Sequence, residues 1–239
     1  MNILVLQHAR CEHPGIFRTF LEEDGHSWQA VELDEGEAVP SLDGFDALWV
    51  LGGPMDVWQE EEHPWLRREK ALIREAVVER GMPFLGLCLG HQLLAEALGG
   101  TVGPSETPEI GVMPVQLTEL GAQSIFLDDF PERFDTLQWH GAEIKTLPEG
   151  FRVLATSPDS PVQAMAWETR AFSCQFHIEV ESDTVETWAT IPEYRDALVK
   201  AMGEGSVETL QERTARSLPE MGRLAERLYM NWLQAAAQA

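Results

Sequence analysis

Three short apolar runs, Asn2–Leu6 (NILVL), Ala47–Leu51 (ALWVL) and Pro83–Leu87 (PFLGL), are the strongest constraint on what this chain can fold into. A strand reads as an unbroken apolar run when both of its faces are covered, which is the condition of a parallel sheet. Segments with helical period lie between the runs: Gly15–Glu23, then Pro64–Arg80 with Pro64 in its first turn and Gly81 just past its end, then Gly90–Leu98. Ser27–Leu33 reads as a further strand. Alternation of strand and helix predicts a doubly wound sheet layered between helices.

The pattern changes after Gly100. Val112–Leu117, Thr136–Ile144, Val153–Ser157, Met165–Glu168 and Ser173–His177 read as strands joined by turns, an antiparallel extension of the sheet. Helical pattern dominates from Asp183, with helices expected at Glu193–Met202, Val207–Ser217 and Pro219–Ala237, punctuated by Gly203 and Gly205. No repeat or low-complexity linker divides the chain. The expectation is one domain over 1–239, with its core in 1–182 and a helical appendage over 183–239.

Composition narrows the function. Forty acidic residues stand against 17 Lys and Arg, for a formal net charge of -23. Nucleic-acid binding needs a basic face, and there is none to offer. An anionic membrane surface is disfavoured for the same reason. No apolar stretch reaches the roughly 18 residues of a spanning helix, and MNILVLQHARCEHPG has no basic leader region. The three scattered cysteines, Cys11, Cys88 and Cys174, do not make a disulfide framework. A cytoplasmic protein is expected.

The chemistry concentrates at Gly86-Leu87-Cys88-Leu89-Gly90. A strand ends, a nucleophilic residue follows and a helix begins, which is the layout of a nucleophile elbow. The flanking glycines relieve crowding in the tight turn. The helix start offers unpaired N–H groups and a positive dipole end, both of which favour thiolate over thiol. The Leu89 N–H is placed to meet an oxygen on whatever Cys88 attacks. The rival reading of Cys88 alone is a small buried hydrophobe, and the elbow layout favours the nucleophile over it. A base is available in Gln175-Phe176-His177-Ile178-Glu179, where the carboxylate two residues on can orient the imidazole. Gly52-Gly53-Pro54 closes a buried strand, at the edge where parallel sheets place their ligand crevice.

These motifs resemble the class I glutamine amidotransferase domain, in its stand-alone form similar to the glutaminase part of GMP synthase. The likeness rests on GGP at 52–54, GLCLGHQ at 86–92 and QFHIE at 175–179, and covers roughly residues 1–180. It implies a flavodoxin-like three-layer α/β sandwich with a mostly parallel sheet. It implies Cys88 as nucleophile, His177 and Glu179 as triad partners, and the N–H groups of Gly53 and Leu89 as an oxyanion hole. Gln92 matches a glutamine-binding residue. Trp139-His140-Gly141 resembles a loop that contacts the substrate's α-amino and carboxylate groups. The implied reaction is hydrolysis of the glutamine side-chain amide through a γ-glutamyl thioester, without metal or cofactor. Hydrolysis of another γ-glutamyl amide or peptide uses the same chemistry. A non-catalytic binding module of the same fold is the rival from another class. Ile178 stands where the family usually has proline, which puts the stiffness of the triad loop in question. No phosphate loop or SGG-type ATP-pyrophosphatase motif is present, so ammonia would pass to a separate synthetase or be released.

Other signals read as structural. His8, Cys11 and His13 lack a full tetrahedral ligand set and read as loop residues. His91 and Cys174 read as packed inside, Trp58 as a residue beside the pocket, and Met221–Leu233 as a helix laid on its own domain.

Overall fold

The computed structural model of the protein describes residues 1–238. Its strands are β1 (Asn2–Gln7), β2 (Ser27–Glu32), β3 (Ala47–Val50), β4 (Phe84–Leu87), β5 (Thr101–Leu117), β6 (Arg133–Thr146), β7 (Arg152–Thr156), β8 (Ala164–Trp167) and β9 (Ala171–Cys174). Its α-helices are α1 (Phe17–Glu23), α2 (Trp65–Arg74), α3 (Leu89–Ala97), α4 (Thr184–Trp188), α5 (Pro192–Met202) and α6 (Ser206–Ala236).

The strands form one sheet in the order β2-β1-β3-β4-β9-β8-β7-β5-β6. The first five in that order pair in parallel and the others antiparallel. This is the flavodoxin-like α/β arrangement expected, with its antiparallel extension. The apolar runs behave as a two-sided burial requires. Along β1, Ile3 and Val5 join one hydrophobic cluster while Leu4 and Leu6 join the other. Residues of α2 and α3 complete the second cluster, and residues of α1, α4, α5 and α6 complete the first.

Several boundaries differ from the sequence expectation. The helix expected to Arg80 leaves α-geometry at Arg74 and closes with a π-helical turn over Glu75–Glu79. Strand β5 begins eleven residues before the expected Val112, and it carries Pro104, Pro108 and Pro114. Proline is tolerated because β5 meets β7 only at Gln116 and Leu117, so most of its other edge forms no ladder.

The largest difference is α6. Two helices were expected, broken before Pro219; one continuous 31-residue helix is found with Pro219 inside it. Proline removes one backbone donor and crowds the preceding turn. Packing on both sides of the break outweighs this: Leu210 precedes it, and Met221, Leu224, Leu228 and Trp232 follow, all buried in the cluster that holds Trp49. Trp232 sits edge-on to Trp49 at 5.3 Å between ring centroids and donates its indole N–H to the Phe84 carbonyl at 3.1 Å.

Truncating a buried tryptophan removes its contacts and leaves a cavity, a loss of about 3–5 kcal/mol. Trp232→Ala is therefore expected to lower the denaturant midpoint strongly. Met230→Ala, 52% exposed on the same helix, is expected to stay within about 0.5 kcal/mol. Equal effects in urea unfolding would show that α6 does not hold the core.

Candidate active site

The carboxyl ends of β3, β4 and β9 meet at Cys88. Its N–H donates to the Cys174 carbonyl at 2.8 Å, and the Gly90 N–H donates to the Leu51 carbonyl at 3.1 Å. Cys88 has φ 50 and ψ -102, a conformation an L-residue rarely adopts. The flanking glycines are a steric requirement. A Cβ on Gly90 would lie 2.0 Å from the Val50 carbonyl oxygen, and one on Gly86 would lie 2.7 Å from the Gly90 oxygen. Cys88 thereby stands at the cap position of α3, where the Leu89 N–H has no acceptor among the described residues.

His177 follows β9 and is tied to β6 by a two-way backbone bridge with Leu137, 2.9 and 3.1 Å. Its Nδ1 lies 2.6 Å from Glu179 Oε1. The other carboxylate oxygen accepts the N–H of Ile178 at 3.0 Å. Proline at 178 could not make that bond. The departure from the usual family residue thus removes a ring constraint and adds a hydrogen bond that holds the same carboxylate. Burial opposes charge on His177, but Glu179 and the Cys88 sulfur outweigh it, and the pKa lies well above the ordinary 6.5.

Gln175 joins the site. Its Nε2 donates to Cys88 Sγ at 3.4 Å, and its Oε1 accepts from Gln92 Nε2 at 2.9 Å. Gln92 Nε2 also lies 3.3 Å from the Ala142 carbonyl. A cavity of about 470 Å³ opens beside Cys88. Gly53, Leu89, Gln92, His140 and Gly141 all line it, and so do Tyr194 and Lys200 of α5. His177 and Glu179 are buried outside that lining. The structure therefore gathers every expected site residue into one region. A thiol, an imidazole with its carboxylate, N–H groups without acceptors among the described residues and a cavity lie together, groups of the kind that acyl transfer uses.

The sequence model of the family described as Glutamine amidotransferase class-I matches residues 19–188. The chain belongs to this family. It is 32% identical to YfeJ of Salmonella typhimurium, named a glutamine amidotransferase-like protein, over 225 residues and 92% of each chain. It is 36% identical over 168 residues to a glutamine-hydrolyzing GMP synthase of Aeropyrum pernix, covering 68% of this chain but 30% of that one. The fold matches the crystal structure of a glutamine amidotransferase from Thermotoga maritima with TM-score 0.85, 29% identity and 97% of both chains covered.

Some placements within this amidotransferase differ from expectation. Trp139-His140-Gly141 lies inside strand β6, as the strand reading of Thr136–Ile144 expects and unlike the loop of the resemblance; Trp139 and His140 pair with β5, and Gly141 falls at a register shift. His140 is buried, with Nε2 3.1 Å from Glu109 and Nδ1 3.0 Å from the Ala142 carbonyl. Trp58 is 43% exposed and stands outside the cavity lining. His8 is not a free loop residue. Its ring is buried between the Gly52 carbonyl at 2.9 Å and Glu69 at 2.8 Å. His91 is buried on Ser173 and the Val162 carbonyl, and burial lowers its pKa to about 3, as suits a packing residue.

Sequence reasoning passed over Glu12 and Tyr194. Glu12 is buried beside Gly52, where a Cβ would meet its carboxylate, and it accepts the Tyr194 hydroxyl. Burial raises its pKa, with His177 and Tyr194 pulling the other way. One more acid in an acidic chain carries no mark of burial. The remaining clue to Gln175 was its place in the QFHIE motif.

His177 and His8 bind a proton more tightly in the folded protein than in the unfolded chain, where histidine titrates near 6.5. Their contribution to stability is complete below that pH and is lost as pH rises through the raised folded values. Burial holds Cys174 and Tyr194 neutral, which acts in the same direction. The melting temperature is expected to fall from about pH 7 to about pH 10 in a thermal-unfolding series. A flat or rising profile would contradict these raised values.

Proposed function

We propose that the protein hydrolyses the side-chain amide of glutamine, with Cys88 as nucleophile, His177 as acid and base, and Glu179 as its orienter. The observation that carries this reading is the His177–Glu179 pair, 2.6 Å apart and buried beside the Cys88 sulfur at a strained elbow. With the proton held on His177, the Cys88 sulfur attacks the amide carbon. A C–S bond forms, and the carbonyl electrons move to oxygen, where the Gly53 and Leu89 N–H groups meet the charge. Collapse breaks the C–N bond as His177 gives its proton to the departing nitrogen, and ammonia leaves. Water then adds to the γ-glutamyl thioester and loses a proton to His177. The C–S bond breaks, and glutamate is released. Gln92, its side-chain nitrogen held by Gln175 and the Ala142 carbonyl, lines the substrate side of the cavity.

The alignment to under a third of the Aeropyrum GMP synthase supports a separate synthetase as acceptor of the ammonia. The three free cysteines suit a reducing compartment such as the cytoplasm. No helix among the described residues is long and apolar enough to cross a membrane.

Glutamate release from glutamine should fall at least about 1,000-fold in Cys88→Ser and in His177→Ala. A diazo-ketone glutamine analogue should leave its adduct on the peptide carrying Cys88. Absence of both adduct and glutamate release in the wild type would remove the catalytic reading.

The cavity favours a second reading as well. At about 470 Å³ it extends to α5, inside the range of roughly 300–1,000 Å³ typical of small-molecule sites in general. A substrate that carries a substituent on the amide nitrogen would occupy more of that space than glutamine does. Steady-state comparison of glutamine with γ-glutamyl peptides decides between the two. A higher kcat/KM for the peptides would make the protein a γ-glutamyl hydrolase.

A further inference from the structure

The loop after β3 contains the Gly52–Gly53 peptide, and its orientation decides whether the Gly53 N–H is available to an oxyanion. The Gly52 carbonyl lies 2.9 Å from His8 Nδ1, and His8 Nε2 lies 2.8 Å from Glu69 Oε1. Both neighbours are acceptors, so satisfying both requires a proton on each ring nitrogen. The acidic groups facing the ring are Glu69 from α2 and Glu12 from the segment after β1. Burial opposes the charge, and these groups with the Gly52 carbonyl outweigh it. Both side chains of the pair are fully buried. Loss of either partner would leave an uncompensated buried charge.

The peptide is trans, so its plane turns the N–H opposite to the C=O. With the carbonyl held on His8, the Gly53 N–H faces away from that ring. It has no acceptor among the described residues, and Gly53 lines the cavity with Cys88 and Leu89. A flipped peptide would set the Gly53 N–H against His8 Nδ1–H, donor against donor. It would also turn the Gly52 carbonyl toward the cavity, where it would repel a developing oxyanion. There is little room to adjust, since a Cβ on Gly53 would meet His8 Cβ at 2.6 Å and Leu89 Cδ2 at 2.8 Å.

We propose that His8, held by Glu69, is a positioning residue that locks the Gly52–Gly53 peptide with its N–H toward the Cys88 cavity, so that this oxyanion donor is preformed before substrate arrives. The inference rests on the amide-hydrolysis reading for its kinetic effect, but the lock itself is a property of the resting protein.

His8→Gln keeps an amide near Glu69 and removes the donor to Gly52. Loss of one oxyanion donor costs about 100- to 1,000-fold in kcat, so His8→Gln is expected to lose between about ten-fold and that limit. KM should hold, because the lost interaction belongs to the transition state. Glu69→Gln still pairs with Nε2 and leaves Nδ1–H on Gly52, so it is expected to retain at least about ten times the kcat of His8→Gln. The crystal structure of His8→Gln should show the Gly52 carbonyl rotated from its wild-type direction. Nitrogen-detected NMR of the wild type at neutral pH should show protons on both His8 ring nitrogens. A wild type with Nδ1 unprotonated overturns the proposal. So does His8→Gln with unchanged kcat and an unmoved peptide. A wild type inactive on glutamine and on γ-glutamyl compounds removes the proposed function, while the NMR and crystallographic results still decide the lock.

Discussion

Cys88 occupies a turn that four elements enclose at backbone distance. β4 enters it, α3 leaves it, the Cys174 carbonyl at the end of β9 takes its N–H, and Gly90 presses on the Val50 carbonyl of β3. A residue held at φ 50 stores about 1–3 kcal/mol of strain, which persists only where the surroundings over-determine it. That over-determination also places the chemistry. The strands adjacent to the elbow carry Gly52–Gly53 on one side and Gln175 through Glu179 on the other. Packing β3, β4 and β9 in parallel therefore brings donor, sulfur and imidazole to one edge.

Buried histidine–glutamate pairs surround that edge. His177 meets Glu179, His140 meets Glu109 and His8 meets Glu69, each within 3.1 Å and each shielded from water. The same side-chain pairing serves different positions. Next to sulfur it stores a proton for the leaving nitrogen in the proposed reaction. In β6 it sits against the cavity wall. Beneath Gly52 it holds a carbonyl. The chain carries a formal charge of -23, yet its functional region depends on the few acids that leave water and find an imidazole or hydroxyl partner. An unpaired buried carboxylate would be too unfavourable to keep.

Much of this arrangement was legible from local pattern. Unbroken apolar runs marked the parallel strands because burial on both faces leaves no polar alternate, and the flanking glycines marked the elbow because no Cβ fits there. The QFHIE stretch placed imidazole and carboxylate two residues apart, close enough for covalent adjacency to specify their meeting. Adjacency of this kind needs no knowledge of the rest of the fold.

The pairings set by tertiary packing were not legible. His8 and Glu69 are 61 residues apart, and Tyr194 and Glu12 are 182 apart; neither pair has a local marker. The helix α6 ran through Pro219 because side chains on both sides of it reach the Trp49 core. Periodicity and short motifs report what a residue needs from its near neighbours. Which distant group fills that need depends on how the sheet stacks its layers, and no single segment carries that information.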